Sequence, residues 1–149
     1  MDAAKERALE AVRAAATRPY PEALALAAAA LQRLPRYTGV YLYVLRGEVL
    51  ELDAHAGRDT PHVRIPVGQG LCGLSARTRD VVEVEDVSAD PRYLACNLET
   101  RSELVFPILR GERYLAQLDV DSDERAAFGP EDRAFLAEVA RLLEPLFPG

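Results

Sequence analysis

The sequence predicts an α+β fold: a central antiparallel sheet with helices packed on one face and a loop-covered pocket on the other. Three observations predict it. Apolar residues recur with the helical period at both ends of the 149-residue chain. Between them lie two strand–turn–strand units, each built around a glycine-containing turn. The segment joining these hairpins is long and rich in turn formers. Antiparallel hairpins joined in this way leave one sheet face for helices and the other for the joining loops.

In residues 3–16, Ala4, Ala8, Leu9, Val12 and Ala15 keep helical spacing among charged residues. Arg18-Pro19 ends this helix, because a residue before proline avoids the α region. A second helix begins near Pro21, runs through Leu24, Ala27, Ala28 and Leu31, and stops before Pro35. The period then changes. Gly39–Leu45 is rich in β-branched and aromatic residues, Arg46-Gly47 signals a turn, and Glu48–His55 alternates apolar with polar. Residues 56–61 read as a loop and His62–Pro66 as a short strand. The glycine-spaced run Gly68-Gln69-Gly70-Leu71-Cys72-Gly73 leads into a short helix over Leu71–Thr78, followed by a strand at Asp80–Val84. A turn-rich loop, 86–91, carries the chain to Cys96. The second hairpin pairs Glu103–Leu109 with Tyr114–Asp121 around Arg110-Gly111-Glu112. Phe128-Gly129-Pro130 opens a last helix, 131–146, whose buried stripe is Phe135, Val139, Leu142 and Leu143. The length fits one domain, 1–149, with N-terminal helices in 1–34 and the sheet, pocket and C-terminal helix in 37–146. The first helix suits a homodimer interface as well as a cover for the sheet.

A formal net charge of −6, with basic residues scattered among acids, argues against a nucleic-acid partner. No apolar run approaches the roughly 20 residues of a membrane span, so no membrane partner is expected. The acidic, amphipathic N-terminus lacks a secretory pattern, and a cytoplasmic location is the expectation. Thiols are reduced there, so Cys72 and Cys96 are expected to be free thiols, metal ligands or a working redox pair rather than a structural disulfide.

Cys72 lies among glycines near a helix N-terminus, two features that lower a thiol's pKa from about 8.5 toward neutrality. Cys96 ends a long loop, where cysteines are more often reactive than in core strands. Two unrelated buried thiols are the plain alternative. With no Cys-x-x-Cys knuckle and only His55 and His62 as histidines, a metal site is not expected. Asp119 and Asp121 share one strand face, with Leu118 and Val120 on the other, and the hairpin register places Glu103 roughly opposite them. Three converging carboxylates need a cation or a shared proton, and a free ammonium group is a natural guest. Carboxylates solvated at a strand end are the alternative. Tyr41 and Tyr43 share one face of the first hairpin strand, and Tyr37 precedes it. They suit either a small apolar group in a pocket or plain strand packing.

Together these residues resemble the GAF-domain free methionine-(R)-sulfoxide reductases, from Tyr37 to about Asp132. The resemblance rests on Arg64-Ile65-Pro66-x-Gly68-x-Gly70-x-Cys72-Gly73, Asp86-Val87, Ala95-Cys96, Ser102-Glu103 and Leu118-Asp119-Val120-Asp121-Ser122, in that order and spacing. It implies a GAF fold and a thiol-dependent reductase without metal or organic cofactor. The partners implied are free methionine sulfoxide as substrate and thioredoxin as reductant. It also implies Cys96 as the attacking thiol and Cys72 as its resolving partner. Glu103, Asp119 and Asp121 would hold the substrate amino group, and Tyr37 and Tyr41 its methyl end. The glycine spacing adds backbone amides near Gly70 and Leu71 for the carboxylate. The sequence departs from the family at three positions. His62 stands where many members carry a third cysteine, Tyr37 where a tryptophan is usual, and Asn97 where an acid commonly follows the second cysteine. A non-catalytic, small-molecule-binding GAF sensor module is the alternative; such modules usually accompany an output domain, which favours the enzyme.

Overall fold

The computed structural model describes residues 1–93 and 99–148. Two helices, α1 (Ala3–Ala15) and α2 (Glu22–Gln32), precede the hairpin of β1 (Gly39–Arg46) and β2 (Val49–Gly57). Then come β3 (Arg64–Pro66), α3 (Gly70–Thr78) and β4 (Val82–Val84). The second hairpin is β5 (Ser102–Arg110) and β6 (Arg113–Ser122), followed by α4 (Pro130–Leu143). The sheet order is β3-β2-β1-β6-β5-β4, and every neighbouring pair is antiparallel. The predicted α+β architecture is therefore the observed one.

The sheet sits between two apolar layers. On one face, Val40, Leu42, Val44, Leu104, Ile108, Leu118 and Val120 pack against α1, α2 and α4. Small residues in α2 (Ala27, Ala28 and Ala30) allow close packing there, while Phe135, Leu136, Val139 and Leu143 supply the stripe of α4. Helix α1 is started by Asp2, whose carboxylate accepts from the Lys5 amide at 2.8 Å. On the opposite face, Tyr41, Tyr43, Leu50, Val105 and Tyr114 meet Leu71, Cys72 and Ala76 of α3. The short helix α3 thus covers the pocket face, while the three longer helices cover the other.

Two bulges set which residues reach which face. In the β1–β2 pair, Leu42 faces Ala54 and Tyr43 faces Leu52, which leaves Asp53 as an extra residue. Leu50 and Leu52 therefore belong to the pocket-side layer and Ala54 and Ala56 to the helix-side layer, although all four share one parity. In the β5–β6 pair, Ile108 faces Ala116 and Leu109 faces Tyr114, so Leu115 is the extra residue. That bulge puts both Leu115 and Ala116 in the helix-side core and turns Tyr114 to the pocket side.

Candidate active site around Cys72

Strand β6 supplies the floor. Leu118 and Val120 point into the helix-side core, so period-two alternation turns Gln117, Asp119 and Asp121 to the pocket side. Glu103 pairs with Asp121 across the hairpin, as the turn position predicts. All three acids are buried. Above them, α3 brings Cys72 in. Gly68 and Gly70 adopt left-handed conformations in the approach to this helix. Gly73 permits close packing, since a Cβ there would lie 2.7 Å from the Pro66 carbonyl oxygen. The Gly68 amide donates to the Gly73 carbonyl at 2.8 Å, and the Gly73 amide to Gln69 at 3.0 Å, which fixes the first turn.

The Cys72 thiol donates to Asp119 Oδ2 at 3.3 Å, with Glu103 Oε2 at 3.9 Å. The Gln117 side-chain amide donates to the Cys72 carbonyl at 3.1 Å and to the Tyr114 hydroxyl at 2.8 Å. The Tyr114 hydroxyl also lies 2.9 Å from Ser75 Oγ, so β6 and α3 are joined by a buried polar network. Burial, and then the Asp119 and Glu103 charges, push the Cys72 thiol well above its usual range. This corrects the expectation of a lowered pKa. The helix N-terminus and glycine amides are outweighed by loss of water and by like charges. Cys72 is a protonated thiol in this state.

Burial likewise raises Asp119, and burial plus the Asp119 charge raises Asp121, with hydrogen bonding from Glu103 working in the opposite direction. The Asp119 and Asp121 carboxyls therefore hold their protons more tightly than ordinary carboxyls do. Among the described residues, Asp119 Oδ1 and Asp121 Oδ1 are buried with no hydrogen-bond partner. Unpartnered buried acceptors within a cluster of carboxyls are suited to a cationic donor. Cys72, Glu103 and Asp119 also offer one sulfur and two carboxylate oxygens, all within 4.8 Å of one another.

A carboxyl whose folded pKa is raised contributes stability below its unfolded pKa of about 3.9 and loses it as pH rises through the folded value. Asp121→Asn is therefore expected to stabilise the protein at neutral pH by on the order of 1 kcal/mol. The gain should shrink to nothing as the pH approaches 4. Thermal unfolding of both proteins across that pH range checks this.

A cavity of about 20 Å³ adjoins these groups, lined by Tyr43, His62, Ile65, Gln69, Gly70, Leu71, Cys72, Glu103 and Asp119. That is room for about one water molecule. Gly70, Leu71 and Cys72 open α3, so their amides have no acceptors within the helix. A larger groove, about 1080 Å³, lies at the hairpin turns beside Arg46, Arg113 and Phe147. It holds none of the sequence-predicted site residues.

The expectation for Tyr37 needs correction. Tyr37 lies on the helix side, packed edge-on to Phe128 and Phe135, and its hydroxyl donates to Asp132 Oδ1 at 2.7 Å. Asp132 also accepts from the Gly129 amide at 2.9 Å, which anchors the start of α4. Strand β1 begins only at Gly39, and the Tyr37 amide belongs to the turn that closes on Leu34. Tyr37 therefore lies outside the strand whose alternation turns Tyr41 and Tyr43 to the pocket. Tyr37→Phe is expected to cost about 1–3 kcal/mol of stability and to leave kcat/KM within about twofold. Denaturant unfolding and steady-state kinetics check both.

Tyr41 is on the pocket face, but its hydroxyl donates to the Arg58 carbonyl at 2.8 Å and its ring stacks on His55. Gly39 makes room for that ring, because a Cβ there would lie 2.5 Å from the Tyr41 hydroxyl. Tyr43 lines the small cavity instead, and its hydroxyl holds the His62 carbonyl at 2.7 Å. The two tyrosines thus pin the 58–62 loop over the sheet. Tyr43 was signalled by sharing the Tyr41 face, and Gln117 by sharing the parity of Asp119. Cys96 lies outside the described residues, as does its separation from Cys72.

The GAF domain family model matches residues 19–145. The free methionine-R-sulfoxide reductase of Escherichia coli (strain K12) is 32% identical over 113 residues, 76% of this chain and 68% of that protein. The structure of a type II free methionine-R-sulfoxide reductase from Thermoplasma acidophilum is 38% identical, with a TM-score of 0.76, covering 96% of this chain and 94% of that one. A free methionine-R-sulfoxide reductase from Neisseria meningitidis, in complex with its substrate, is 30% identical, with a TM-score of 0.88 over 98% of this chain and 90% of that one. Against other curated relatives the chain spans about half their length: 50% of protein YtsP of Bacillus subtilis and 44% of the Saccharomyces cerevisiae reductase. The chain belongs to the GAF-domain family, in the enzyme group of the free methionine-R-sulfoxide reductases.

Proposed function

We propose that this protein is a thiol-dependent reductase that converts free L-methionine-(R)-sulfoxide to methionine. The observation that carries this reading is the meeting of the Cys72 thiol with buried Asp119 and Glu103, 3.3 and 3.9 Å away, beside the unpartnered oxygens of Asp119 and Asp121. A buried anionic cluster selects a substrate with a free ammonium group, which distinguishes free methionine sulfoxide from the same group within a peptide. Glu103, Asp119 and Asp121 hold the ammonium, the amides of Gly70 and Leu71 take the carboxylate, and Tyr43 borders the space for the thioether end. The cavity widens on binding, because one water nearly fills it.

The Cys96 thiolate attacks the sulfoxide sulfur. The sulfoxide S–O bond breaks as its oxygen passes to the cysteine sulfur and takes up a proton, which forms the sulfenic acid and releases methionine. A proton held by the Asp119 or Asp121 carboxyl, both raised by burial, assists the oxygen's transfer. Cys72 then attacks the sulfenic sulfur, a disulfide forms and water is released. Two electrons from thioredoxin, in the cytoplasm, restore both thiols. His62 replaces the further thiol of many relatives, so Cys72 is the resolving partner that the chain itself supplies.

A coupled assay with thioredoxin, thioredoxin reductase and NADPH tests this. Free methionine-(R)-sulfoxide is expected to drive NADPH consumption, and neither the (S) epimer nor a peptide-bound sulfoxide should. No consumption above background with the free (R) epimer would overturn the reductase and leave a non-catalytic binding module.

A further inference from the structure

We propose that Cys72, Glu103 and Asp119 form a binding site for a borderline-soft divalent metal ion, Zn²⁺ foremost, and that this metal competes with the substrate. The three donors come from three separate elements, α3, β5 and β6, and converge in a buried site. A tetrahedral zinc ion about 2.3 Å from sulfur and about 2.0 Å from oxygen needs sulfur–oxygen separations of about 3.5 Å. The observed separations, 3.3 and 3.9 Å, straddle that value.

An independent observation points to a cation. Asp119 Oδ1 and Asp121 Oδ1 are buried acceptors without a hydrogen-bond partner among the described residues, and each residue is only 3% exposed. Acceptors left so deep are costly unless a donor or a metal meets them. The adjoining cavity of about 20 Å³ leaves a fourth coordination position with room for one water molecule. A site with one thiolate, two carboxylates and a water suits zinc. Calcium and magnesium want six or more oxygens and do not select sulfur.

Metal binding displaces the Cys72 proton, and any proton shared by the two carboxylates, to solvent. The bound ion then holds the resolving thiol and the carboxylates that the reductase reading gives to the substrate ammonium. Only this competition rests on the reductase reading; metal binding itself does not.

The test uses the reduced protein with Zn²⁺ in calorimetry and Co²⁺ in absorption spectroscopy. One Zn²⁺ per chain is expected, with a sulfur-to-cobalt charge-transfer band. Cys72→Ser should remove the band and weaken Zn²⁺ binding at least about tenfold, and Glu103→Gln should weaken binding with the band retained. Circular dichroism confirms that the variants fold. Absence of binding at micromolar Zn²⁺ overturns the site, as does a Cys72→Ser protein that binds equally well. A band lost in Cys96→Ser but kept in Cys72→Ser overturns it too. If Zn²⁺ binds through Cys72 but excess methionine-(R)-sulfoxide leaves its affinity unchanged, the competition and the substrate placement fall, while the metal site stands.

Discussion

Cys96→Ser is expected to lower kcat/KM for free methionine-(R)-sulfoxide by at least about 10³-fold, to the background of the coupled assay. A serine hydroxyl is a poor nucleophile toward sulfur, and it cannot form the sulfenic acid on which the later steps depend. Cys72→Ser behaves differently. With its resolving thiol gone, the protein should still release one methionine per chain in a single turnover and then stall as the sulfenic acid. Steady-state NADPH consumption with thioredoxin falls, while the first-turnover yield stays. Rapid-quench measurement of methionine in the two variants separates the roles. If Cys72→Ser loses the first turnover and Cys96→Ser keeps it, the two roles are exchanged. The environment of Cys72 supports the proposed order: burial and two adjacent carboxylates hold it as a thiol, which disfavours it as the first nucleophile.

Asp119→Asn is expected to reduce kcat/KM by about 10–100-fold, mostly through KM, while raising thermal stability at neutral pH. The loss reflects a charge-assisted hydrogen bond to the substrate ammonium, worth about 1.5–3 kcal/mol. The gain reflects removal of a buried carboxyl whose pKa burial has raised, so the penalty removed is largest where that group is asked to ionise. The same substitution should lower the Cys72 pKa, because Asp119 is the largest charge acting on it. Thiolate absorbance against pH, measured in a Cys96→Ser background, reads that shift directly. An Asp119→Asn protein with unchanged KM contradicts the binding role. An unchanged Cys72 titration contradicts the contact seen at 3.3 Å.

Much of the site was legible because a strand's alternation depends on few other facts. Once Leu118 and Val120 are assigned to the core, Asp119 and Asp121 must share the other face, and a short turn at Gly111 brings Glu103 opposite Asp121. The bulges at Asp53 and Leu115 were not legible. Each is one extra residue, and its position is set by packing on both faces rather than by local composition. Tyr37 was assigned to the pocket by the resemblance alone, and it lies before the start of β1 at Gly39, where strand alternation says nothing of its direction. Cys72 was misjudged for another reason: its sequence neighbours are glycines, but its spatial neighbours are carboxylates from strands β5 and β6, 31 and 47 residues away. A pKa depends on the spatial neighbours. Tyr43 and Gln117 were within reach of the alternation rule, and only their chemistry, as a ring beside the cavity and an amide tying β6 to α3, required the fold.

The central claim is that Cys72 and Cys96 act as a redox pair. Treating the fully reduced protein with one equivalent of free methionine-(R)-sulfoxide, without thioredoxin, and measuring the intact mass and proteolytic peptides tests it most directly. The account predicts loss of two hydrogen atoms from the protein and a single cross-linked peptide pair joining Cys72 to Cys96, with one methionine released. An intact mass that instead gains one oxygen and stays there, or that does not change, contradicts it.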